Sequence, residues 1–238
     1  MSSTQETVLI TGANRGLGLG LARAFLAGGS RVIAVNRSTS PELEKSATEN
    51  LEVLLCDLTN DEQLKGLAEQ LKDRTIDVLV NNAGMMAKPA FVVSESSVQG
   101  FGHFDRETWR QLFDINLFTA MQMAELFVEN VARSKRGRIV TISSMLGSME
   151  MNTHGGIYAY RASKAGVNAI MKSMSIDLAD RGIIAIAQHP GWVQTDMGGA
   201  GADLDIQTSV NGMKAVIDSL TIADSGKFIS YDGSEMPW

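Results

Sequence analysis

The sequence predicts an α/β protein built on a doubly wound, mostly parallel sheet of about seven strands, with helices on both faces. Short β-branched and apolar runs alternate along the chain with longer segments whose apolar residues recur at helical spacing. The first strand also breaks directly into a glycine turn that opens a helix. Because strands that alternate with helices form parallel sheets, this order predicts a layered α/β fold.

Composition limits the classes of protein to which this chain can belong. Its 238 residues are 44% hydrophobic, which provides enough apolar material for one core, so we predict a single domain over residues 1–238. The formal net charge of −6 provides no basic surface for a polyanion, and we expect no nucleic-acid partner. No apolar run approaches the roughly 18 residues that span a bilayer, so we expect no membrane partner.

Cysteine usage and the N-terminal residues bear on location. Cys56 is the single cysteine, which excludes an intrachain disulfide. Residues 1–6 lack the charged and then apolar pattern of a signal peptide. Together these observations predict a cytoplasmic protein.

The most informative stretch is the first strand with the turn that follows it. A β-branched and apolar run over 8–10 leads into T-G-x-x-x-G-x-G, residues 11–18. A strand that ends in glycines and opens a helix directs unpaired backbone N–H groups and the positive end of a helix dipole at one point. This arrangement suits a pyrophosphate, so we predict a nucleotide cradle. The predicted contacts in the turn are Gly12, Asn14, Arg15, Gly16, Leu17 and Gly18.

The end of the second strand bears on which dinucleotide the cradle takes. A helix over 17–27 and a strand over 31–35 complete a β-α-β unit. An acidic residue after this strand would accept a hydrogen bond from a free ribose 2′-hydroxyl, but the sequence has Asn36 and Arg37 there. Because Arg37 and Arg15 can both reach this region, a 2′-phosphate is better accommodated, which favours NADP(H) over NAD(H). The alternative for either arginine is a solvated surface charge.

A third strand over 51–56 ends in Asp57 and Leu58 and precedes a helix over 61–72. The carboxyl ends of strands in this fold face the ligand crevice, which places Asp57 toward the nucleotide. Its carboxylate alternatively supports the turn that follows the strand. Asp57 and Leu58 are both predicted nucleotide contacts.

A fourth strand over 76–80 runs directly into N-N-A-G, residues 81–84. Small residues after a central strand let a nucleotide lie against the backbone, and an asparagine amide can join neighbouring strands. The predicted contacts in this segment are Asn81, Ala83 and Gly84. The irregular stretch over 88–104 is assigned no chemistry.

The residues suited to acid–base chemistry lie on the fifth strand and on the helix after it. The strand over 138–144 delivers Ser143 and Ser144 to the crevice, and Tyr160 and Lys164 stand four residues apart on one helical face. Reduction of a carbonyl requires a proton donor at the developing alkoxide. We predict that Lys164, together with the nicotinamide cation of the oxidised complex, lowers the pKa of Tyr160, because positive charge stabilises a nearby tyrosinate.

The choice of tyrosine follows from spacing alone. Tyr160 has a lysine four residues later, whereas Tyr158 and Tyr231 do not. The choice of serine is harder, because Ser143 and Ser144 both lie at the end of the strand, where a hydroxyl could donate a hydrogen bond to the substrate oxygen.

The remaining elements complete the sheet. A long helix is predicted over 105–133, with Asn116 in its middle, where asparagine is unfavourable because its amide competes for backbone hydrogen bonds. A sixth strand over 183–188, a helix over 206–220 and a strand over 227–230 follow. The three histidines show no metal-ligand spacing, so we expect no metal site.

Taken in order, T-G-x-x-x-G-x-G, N-N-A-G, the paired serines and Y-x-x-x-K resemble the short-chain dehydrogenase/reductase family over almost the whole chain. Within that family, Y-A-Y-R-x-S-K at 158–164, H-P-G-W-V-x-T-D-M-G-G at 189–199 and Y-D-G-x-x-x-P-W at 231–238 look most like the sniffer-type carbonyl reductases and C-factor-like proteins. The resemblance implies a Rossmann-type fold.

The resemblance also implies individual roles. The residue that matches Asp57 contacts the adenine amino group, and the second serine of S-S-x-x-G, here Ser144, is the catalytic one. The residue that matches Asn116 distorts its helix and holds a water molecule in the proton path. Tyr160 and Lys164 would contact the cofactor as well as carry the chemistry.

A segment after the sixth strand resembles the P-G-x-V-x-T segment of the family. The resemblance places the backbone near Val193 and the Thr195 hydroxyl at the nicotinamide carboxamide, with Pro190 and Gly191 in the same segment. It also implies a homo-oligomer, a dimer or tetramer, although a monomer is an alternative.

These observations predict an oxidoreductase that transfers hydride between NADP(H) and a small-molecule carbonyl, an aldehyde or ketone, through Asn116, Ser144, Tyr160 and Lys164. One alternative is a regulatory or signalling protein that binds NADP(H) with little turnover, because fold alone does not fix function. Another is an NAD-dependent alcohol dehydrogenase.

Overall fold

The computed structural model describes residues 5–87 and 99–238. Within these residues the strands are β1 Thr7–Thr11, β2 Arg31–Asn36, β3 Leu51–Leu55, β4 Val78–Asn81, β5 Arg138–Ile142, β6 Ile184–His189 and β7 Phe228–Ser230. They form one parallel sheet in the order β3-β2-β1-β4-β5-β6-β7. The order reverses between β1 and β4, where such sheets bind ligands. The predicted Rossmann-type, doubly wound fold is therefore confirmed.

Helices cover both faces of this sheet. Their bounds are α1 Gly16–Ala27, α2 Pro41–Glu44, α3 Asp61–Leu71, α4 Arg106–Phe113, α5 Thr119–Ala132, α6 Tyr158–Asp177 and α7 Ile206–Ser219. Successive strand side chains point to opposite faces, so Leu9 and Ile10 belong to different core clusters. Phe25 packs with Ile10 in the cluster beneath α1 and α7, and Phe127 packs with Leu9 beneath α3, α5 and α6.

Capping side chains account for several helix starts. The Asn60 side chain accepts hydrogen bonds from two N–H groups in the first turn of α3, and Asp205 accepts one from Thr208 N–H at 2.7 Å at the start of α7. Ser40 caps the short helix α2, and Pro41 follows it at the first helical position. This four-residue helix was not predicted, because its apolar pattern is too short to show a period.

The helix predicted over 105–133 is interrupted. A π-helical turn over Asp114–Phe118 separates α4 from α5, and Asn116 is buried within this turn. A π-turn inserts an extra residue into the helix and is frequent at functional sites. The implied distortion of the helix at Asn116 is thus present.

Two further points complete the description of the fold. Of the irregular stretch predicted over 88–104, residues 88–98 lie outside the described residues. In the part of the chain that is described, none of the helices has the length and apolar character needed to cross a membrane.

Candidate active site

Close backbone contacts shape the turn between β1 and α1. Gly12 has a φ of +66°, a left-handed conformation that favours glycine. A Cβ on Gly18 would lie 2.2 Å from the Gly12 carbonyl oxygen and 2.4 Å from Asn82 Nδ2, so no side chain fits there. The first turn of α1, which begins at Gly16, contains no acidic side chain. The turn therefore presents a helix N-terminus that can hold an anion.

A threonine and an asparagine outside the predicted set hold this turn against β4. Thr11 Oγ1 accepts hydrogen bonds from the backbone N–H groups of Asn82 at 3.0 Å and Ala83 at 3.1 Å. Asn82 Nδ2 donates in return to the Thr11 carbonyl oxygen at 2.9 Å. Asn81 Nδ2 donates to Thr141 Oγ1 at 3.3 Å, so the predicted link between neighbouring strands is confirmed. In the sequence, these contacts could have been predicted from the threonine of T-G and the second asparagine of N-N-A-G.

Asn36 lies at the end of β2 with its side chain buried. Within the described residues neither its Nδ2 nor its Oδ1 has a hydrogen-bond partner. Buried polar atoms without partners cost free energy, so this amide suits a polar group of a ligand at the adenosine end of the cradle. The neutral amide also places no negative charge there. The exposed side chain of Arg37 follows directly.

Asp57 supports the turn after β3. Its Oδ1 accepts hydrogen bonds from the Thr59 N–H at 3.0 Å and the Thr59 hydroxyl at 2.7 Å. These hydrogen bonds hold the pKa of Asp57 below its usual range, and the nearby charge of Arg37 acts in the same direction. Asp57 therefore supports the turn, which is one of the two roles that the sequence left open. Leu58 is buried in the core beneath α3.

Arg15 pairs with a carboxylate that the sequence did not single out. Its Nη1 lies 2.9 Å from Asp196 Oδ2, and both side chains are exposed. The residue that contacts the segment after β2 is Asn14, whose Nδ2 donates to the Ser38 carbonyl oxygen at 3.1 Å and whose carbonyl oxygen accepts from the Ser40 hydroxyl at 2.6 Å. Arg15 thus faces the loop after β6, while its neighbour faces the loop after β2.

Ser144, Tyr160 and Lys164 come together at the start of α6. Tyr160 is 6% exposed, and the Ser144 side chain is near enough to its phenol to act on the pKa of Tyr160. The Tyr160 Oη also lies 3.9 Å from Met197 Sδ. Lys164 Nζ lies 5.8 Å from the centroid of the Tyr160 ring and donates to the Ile142 carbonyl oxygen at 2.8 Å. The sequence therefore selected side chains that share one site.

Lys164 does not by itself lower the pKa of Tyr160 in this structure, so that part of the prediction is wrong. Burial raises the pKa of Tyr160 to about 12, and the hydrogen bond with Ser144 only partly opposes this. Burial also lowers the pKa of Lys164 to about 8. Desolvation affects these pKa values more than charge attraction does, because both groups are shielded from water. The lysine nitrogen is also hydrogen-bonded to a backbone carbonyl. At neutral pH Tyr160 is therefore protonated.

The structure distinguishes the two serines. Ser143 is buried, and its Oγ donates to Asn168 Oδ1 at 2.6 Å, which ties it to the middle of α6. Ser144 is half-buried and reaches the Tyr160 phenol. The second serine is therefore the one that lies beside Tyr160, as the resemblance implied.

Asn116 connects the segment after β4 to α6. Its Oδ1 accepts from the Met85 N–H at 2.8 Å, and its Nδ2 donates to the Met85 carbonyl oxygen at 2.9 Å and to Ser163 Oγ at 3.0 Å. A Cβ on Gly84 would lie 3.2 Å from Asn116 Oδ1 and 3.6 Å from Lys164 Nζ, so these two side chains flank the same backbone. Asn116 is therefore a buried, hydrogen-bonded residue and not an exposed asparagine that the helix tolerates.

A strained residue precedes the catalytic helix. Gly155, Gly156 and Ile157 have consecutive positive φ values of 67°, 65° and 53°. This conformation is unfavourable for a β-branched residue. Ile157 is buried, and its N–H donates to the Gln99 carbonyl oxygen at 2.8 Å, which accounts for its retention in this conformation. In the sequence, the paired glycines at 155 and 156 could have indicated this left-handed backbone.

The loop after β6 lies against the glycine turn. Val193 is buried, and Thr195 Cγ2 lies 3.7 Å from where a Cβ on Gly16 would stand. Residues 198–205 are rich in small residues, and hydrogen bonds hold them to the loop, including the bond from the Gln194 N–H to the Leu204 carbonyl oxygen at 2.8 Å. Pro190 and Gly191 begin the loop. The candidate nicotinamide contacts are therefore ordered beside the cradle.

His189 has a structural place. Its Nδ1 accepts from the Met145 N–H at 3.2 Å, and burial lowers its pKa to about 4. Across residues 5–87 and 99–238, the His, Cys, Asp and Glu side chains form no group of three or more that could hold a metal ion.

Comparison with known proteins identifies the family. A family model described as short chain dehydrogenase matches residues 6–205. Together with the parallel sheet, the glycine turn and the Ser144–Tyr160–Lys164 cluster, this match shows that the chain belongs to the short-chain dehydrogenase family.

Individual relatives confirm the branch that the sequence indicated. C-signal of Myxococcus xanthus is 37% identical over 175 residues, which are 74% of this chain and 100% of that protein. Carbonyl reductase Sniffer of D. melanogaster is 34% identical with a TM-score of 0.86, and the match covers 98% of this chain and 100% of that one. An NADPH-bound carbonyl reductase from chicken fatty liver is 28% identical with a TM-score of 0.87, over 98% and 99% of the two chains.

Proposed function

We propose that this protein is an NADP(H)-dependent oxidoreductase that reduces an aldehyde or a ketone, with Tyr160 as the proton donor. The observation that carries the proposal is the cluster of Ser144, Tyr160 and Lys164, in which Tyr160 is held protonated beside a nucleotide cradle. A protein that only binds a nucleotide needs the cradle but not this cluster.

The cradle fits a nicotinamide dinucleotide. The turn from Gly12 to Gly18 would hold the pyrophosphate, because its shape excludes side chains and it opens a helix. Asn36 and Arg37 would meet the adenosine phosphate, and Asp57 the adenine. The neutral, unpartnered amide of Asn36 and the adjacent exposed cation favour a 2′-phosphate, and the similar chicken carbonyl reductase binds NADPH.

The nicotinamide end would lie between α6 and the loop after β6. The backbone near Val193 and the Thr195 hydroxyl would contact the carboxamide, and Lys164 the ribose hydroxyls. When bound, the reduced nicotinamide supplies the hydride. Pro190 and Gly191 would place the loop for these contacts, and Ala83 and Gly84 would let the dinucleotide lie against the end of β4.

The side chains of this protein supply the proton. Tyr160 keeps its proton at neutral pH because its pKa is about 12, so it can donate to the substrate oxygen as the alkoxide develops. Ser144 is placed to donate a hydrogen bond to the same oxygen. Lys164, with a pKa of about 8, still carries a positive charge near neutral pH and would stabilise the tyrosinate that results. We include in this proposal that Asn116, next to Lys164, holds a water molecule that returns the proton.

The phenol can serve both directions of hydride transfer. In carbonyl reduction the protonated form donates to the developing alkoxide, and in alcohol oxidation tyrosinate would accept that proton. We propose carbonyl reduction as the main activity because the similar proteins from D. melanogaster and chicken liver are carbonyl reductases. The cytoplasmic location and the homo-oligomer stay predictions from the sequence.

The test combines binding with turnover. NADPH and NADH affinities are measured by calorimetry, and loss of nicotinamide absorbance is then followed with a panel of quinones, α-dicarbonyls, aldehydes and ketones. Tyr160→Phe is compared with Tyr158→Phe, an exposed tyrosine two residues earlier. We expect NADPH binding in all three proteins and a loss of about 10²-fold or more in turnover for Tyr160→Phe alone.

Three results would contradict the proposal. Full turnover in Tyr160→Phe would remove the proton-donor role. A preference for NADH would remove the cofactor assignment. Tight NADPH binding without turnover across the panel would favour a binding protein with a regulatory or signalling role.

A further inference from the structure

The carboxylate of Asp196 is the partner of Arg15 at the edge of the cradle. The two residues are 181 positions apart, and their Nη1 and Oδ2 atoms lie 2.9 Å apart. The side chains are 75% and 76% exposed, so water surrounds the pair. The same two segments meet again at Thr195 and Gly16. This ion pair therefore closes one side of the nucleotide cradle.

The turn that carries Asp196 is held by its own hydrogen bonds. Thr195 Oγ1 accepts from the Gly198 N–H at 3.1 Å, and the Thr195 carbonyl oxygen accepts from the Gly199 N–H at 2.8 Å. Neither bond involves Arg15. The carboxylate consequently stays beside the cradle when the arginine moves, so its charge acts on any anion that enters.

Arg15 can reach either side of the cradle. Its neighbour Asn14 contacts Ser38 and Ser40 in the loop after β2, so the Arg15 backbone lies close to the end of that strand. Rotation of the long Arg15 side chain would carry the guanidinium from Asp196 toward Arg37. Because exposed ion pairs contribute little to stability, the contact with Asp196 is easily exchanged for a contact with phosphate.

We propose that Asp196 is a specificity-determining residue, an internal counter-ion that Arg15 exchanges for the 2′-phosphate of the dinucleotide. This inference rests on the proposed function and adds the residue that sets the strength of phosphate recognition. Asp196 competes for Arg15 and repels the incoming phosphate, which carries a charge of about −1.5 to −2. Removal of its charge should strengthen NADPH binding and leave NADH binding near its original value.

The experiment measures dissociation constants without substrate. NADPH and NADH are titrated by calorimetry into the wild-type protein, Asp196→Asn and Asp203→Asn. Asp203 is an exposed acidic residue of the same loop, and within the described residues it forms no ion pair. All three are repeated with Arg15→Gln, which completes a double-mutant cycle.

We expect Asp196→Asn to strengthen NADPH binding about two- to fivefold, the effect of losing one exposed ion pair. Asp203→Asn should change NADPH affinity less, because the charge that it removes is not paired with Arg15. With Arg15→Gln in place, Asp196→Asn should change NADPH affinity no more than the Asp203→Asn control. The gain should also shrink at high salt, which screens the repulsion.

Several outcomes would overturn the inference. If Asp196→Asn leaves NADPH affinity unchanged, weakens it, or strengthens NADH binding equally, that result contradicts a role in recognition of the 2′-phosphate. An undiminished gain with Arg15→Gln would contradict the exchange. Failure of the wild-type protein to bind either nucleotide would instead contradict the proposed function itself.

Discussion

The nucleotide cradle and the catalytic cluster achieve their geometry by different means. In the cradle, backbone atoms approach so closely that Gly18 has no room for a Cβ, and amide and hydroxyl groups of β1 and β4 lock the turn. In the catalytic cluster, buried side chains set the geometry, and Asn116, Tyr160 and Lys164 each lie in an environment that excludes water. The shape of the cradle therefore depends on glycines that have no side chain, and the geometry of the cluster depends on side chains that are buried.

This difference has a chemical consequence. A backbone cradle binds an anion without a titratable group, so its function depends on shape. In the cluster, burial moves the pKa values of Tyr160 and Lys164 in opposite directions, to about 12 and about 8. Substitutions in the two regions should consequently fail in different ways.

The largest expected effect comes from filling the cradle. In Gly18→Ala the new Cβ would meet the Gly12 carbonyl oxygen at 2.2 Å, which the backbone can relieve only by moving β1 away from α1. We expect a loss of about 3 kcal/mol in the free energy of unfolding, measured by chemical denaturation.

The control for this substitution is Gly66→Ala in α3. Gly66 is exposed, and a Cβ there would meet nothing within 4 Å. We expect a gain of about 1 kcal/mol, the helix propensity of alanine over glycine. Equal stability changes in the two variants would show that close approach does not specify the cradle.

A smaller effect is expected from removing a buried amide in the cluster. Asn116→Ala leaves the Met85 N–H and carbonyl oxygen without their partner, and we expect a loss of about 2 kcal/mol in stability. Turnover should fall by about 10- to 100-fold because the backbone beside Lys164 is no longer positioned.

Asn130→Ala separates stability from chemistry. Asn130 is also buried, near the C-terminal end of α5, and its Nδ2 donates to the carbonyl oxygens of Leu71 at 2.7 Å and Arg74 at 2.8 Å. We expect a similar loss of stability with nearly unchanged turnover. If both variants lose turnover equally, Asn116 has no positioning role beyond the fold.

The two regions also differ in how far the sequence predicts them. The alternation of strands and helices, the glycine turn and N-N-A-G follow from local patterns, because a close backbone approach requires particular small residues at fixed spacing. Tyr160 was identifiable by its spacing to Lys164, but its raised pKa was not, because burial depends on elements distant in sequence. Two further contacts could not be predicted, because they depend on how the loop after β6 packs against residues distant in sequence. They join Arg15 to Asp196 and Met197 to Tyr160.

The most direct measurement of the central claim is the ionisation of Tyr160 itself. The chain has three tyrosines, so Tyr158→Phe with Tyr231→Phe leaves Tyr160 as the single phenol to titrate. Tyrosinate absorbance is then followed as pH rises while circular dichroism reports that the fold is intact. Because burial raises the pKa of Tyr160 to about 12, we expect no ionisation of the folded protein through pH 10. A titration midpoint at or below the ordinary tyrosine value of about 10 would contradict a phenol whose pKa is raised by burial.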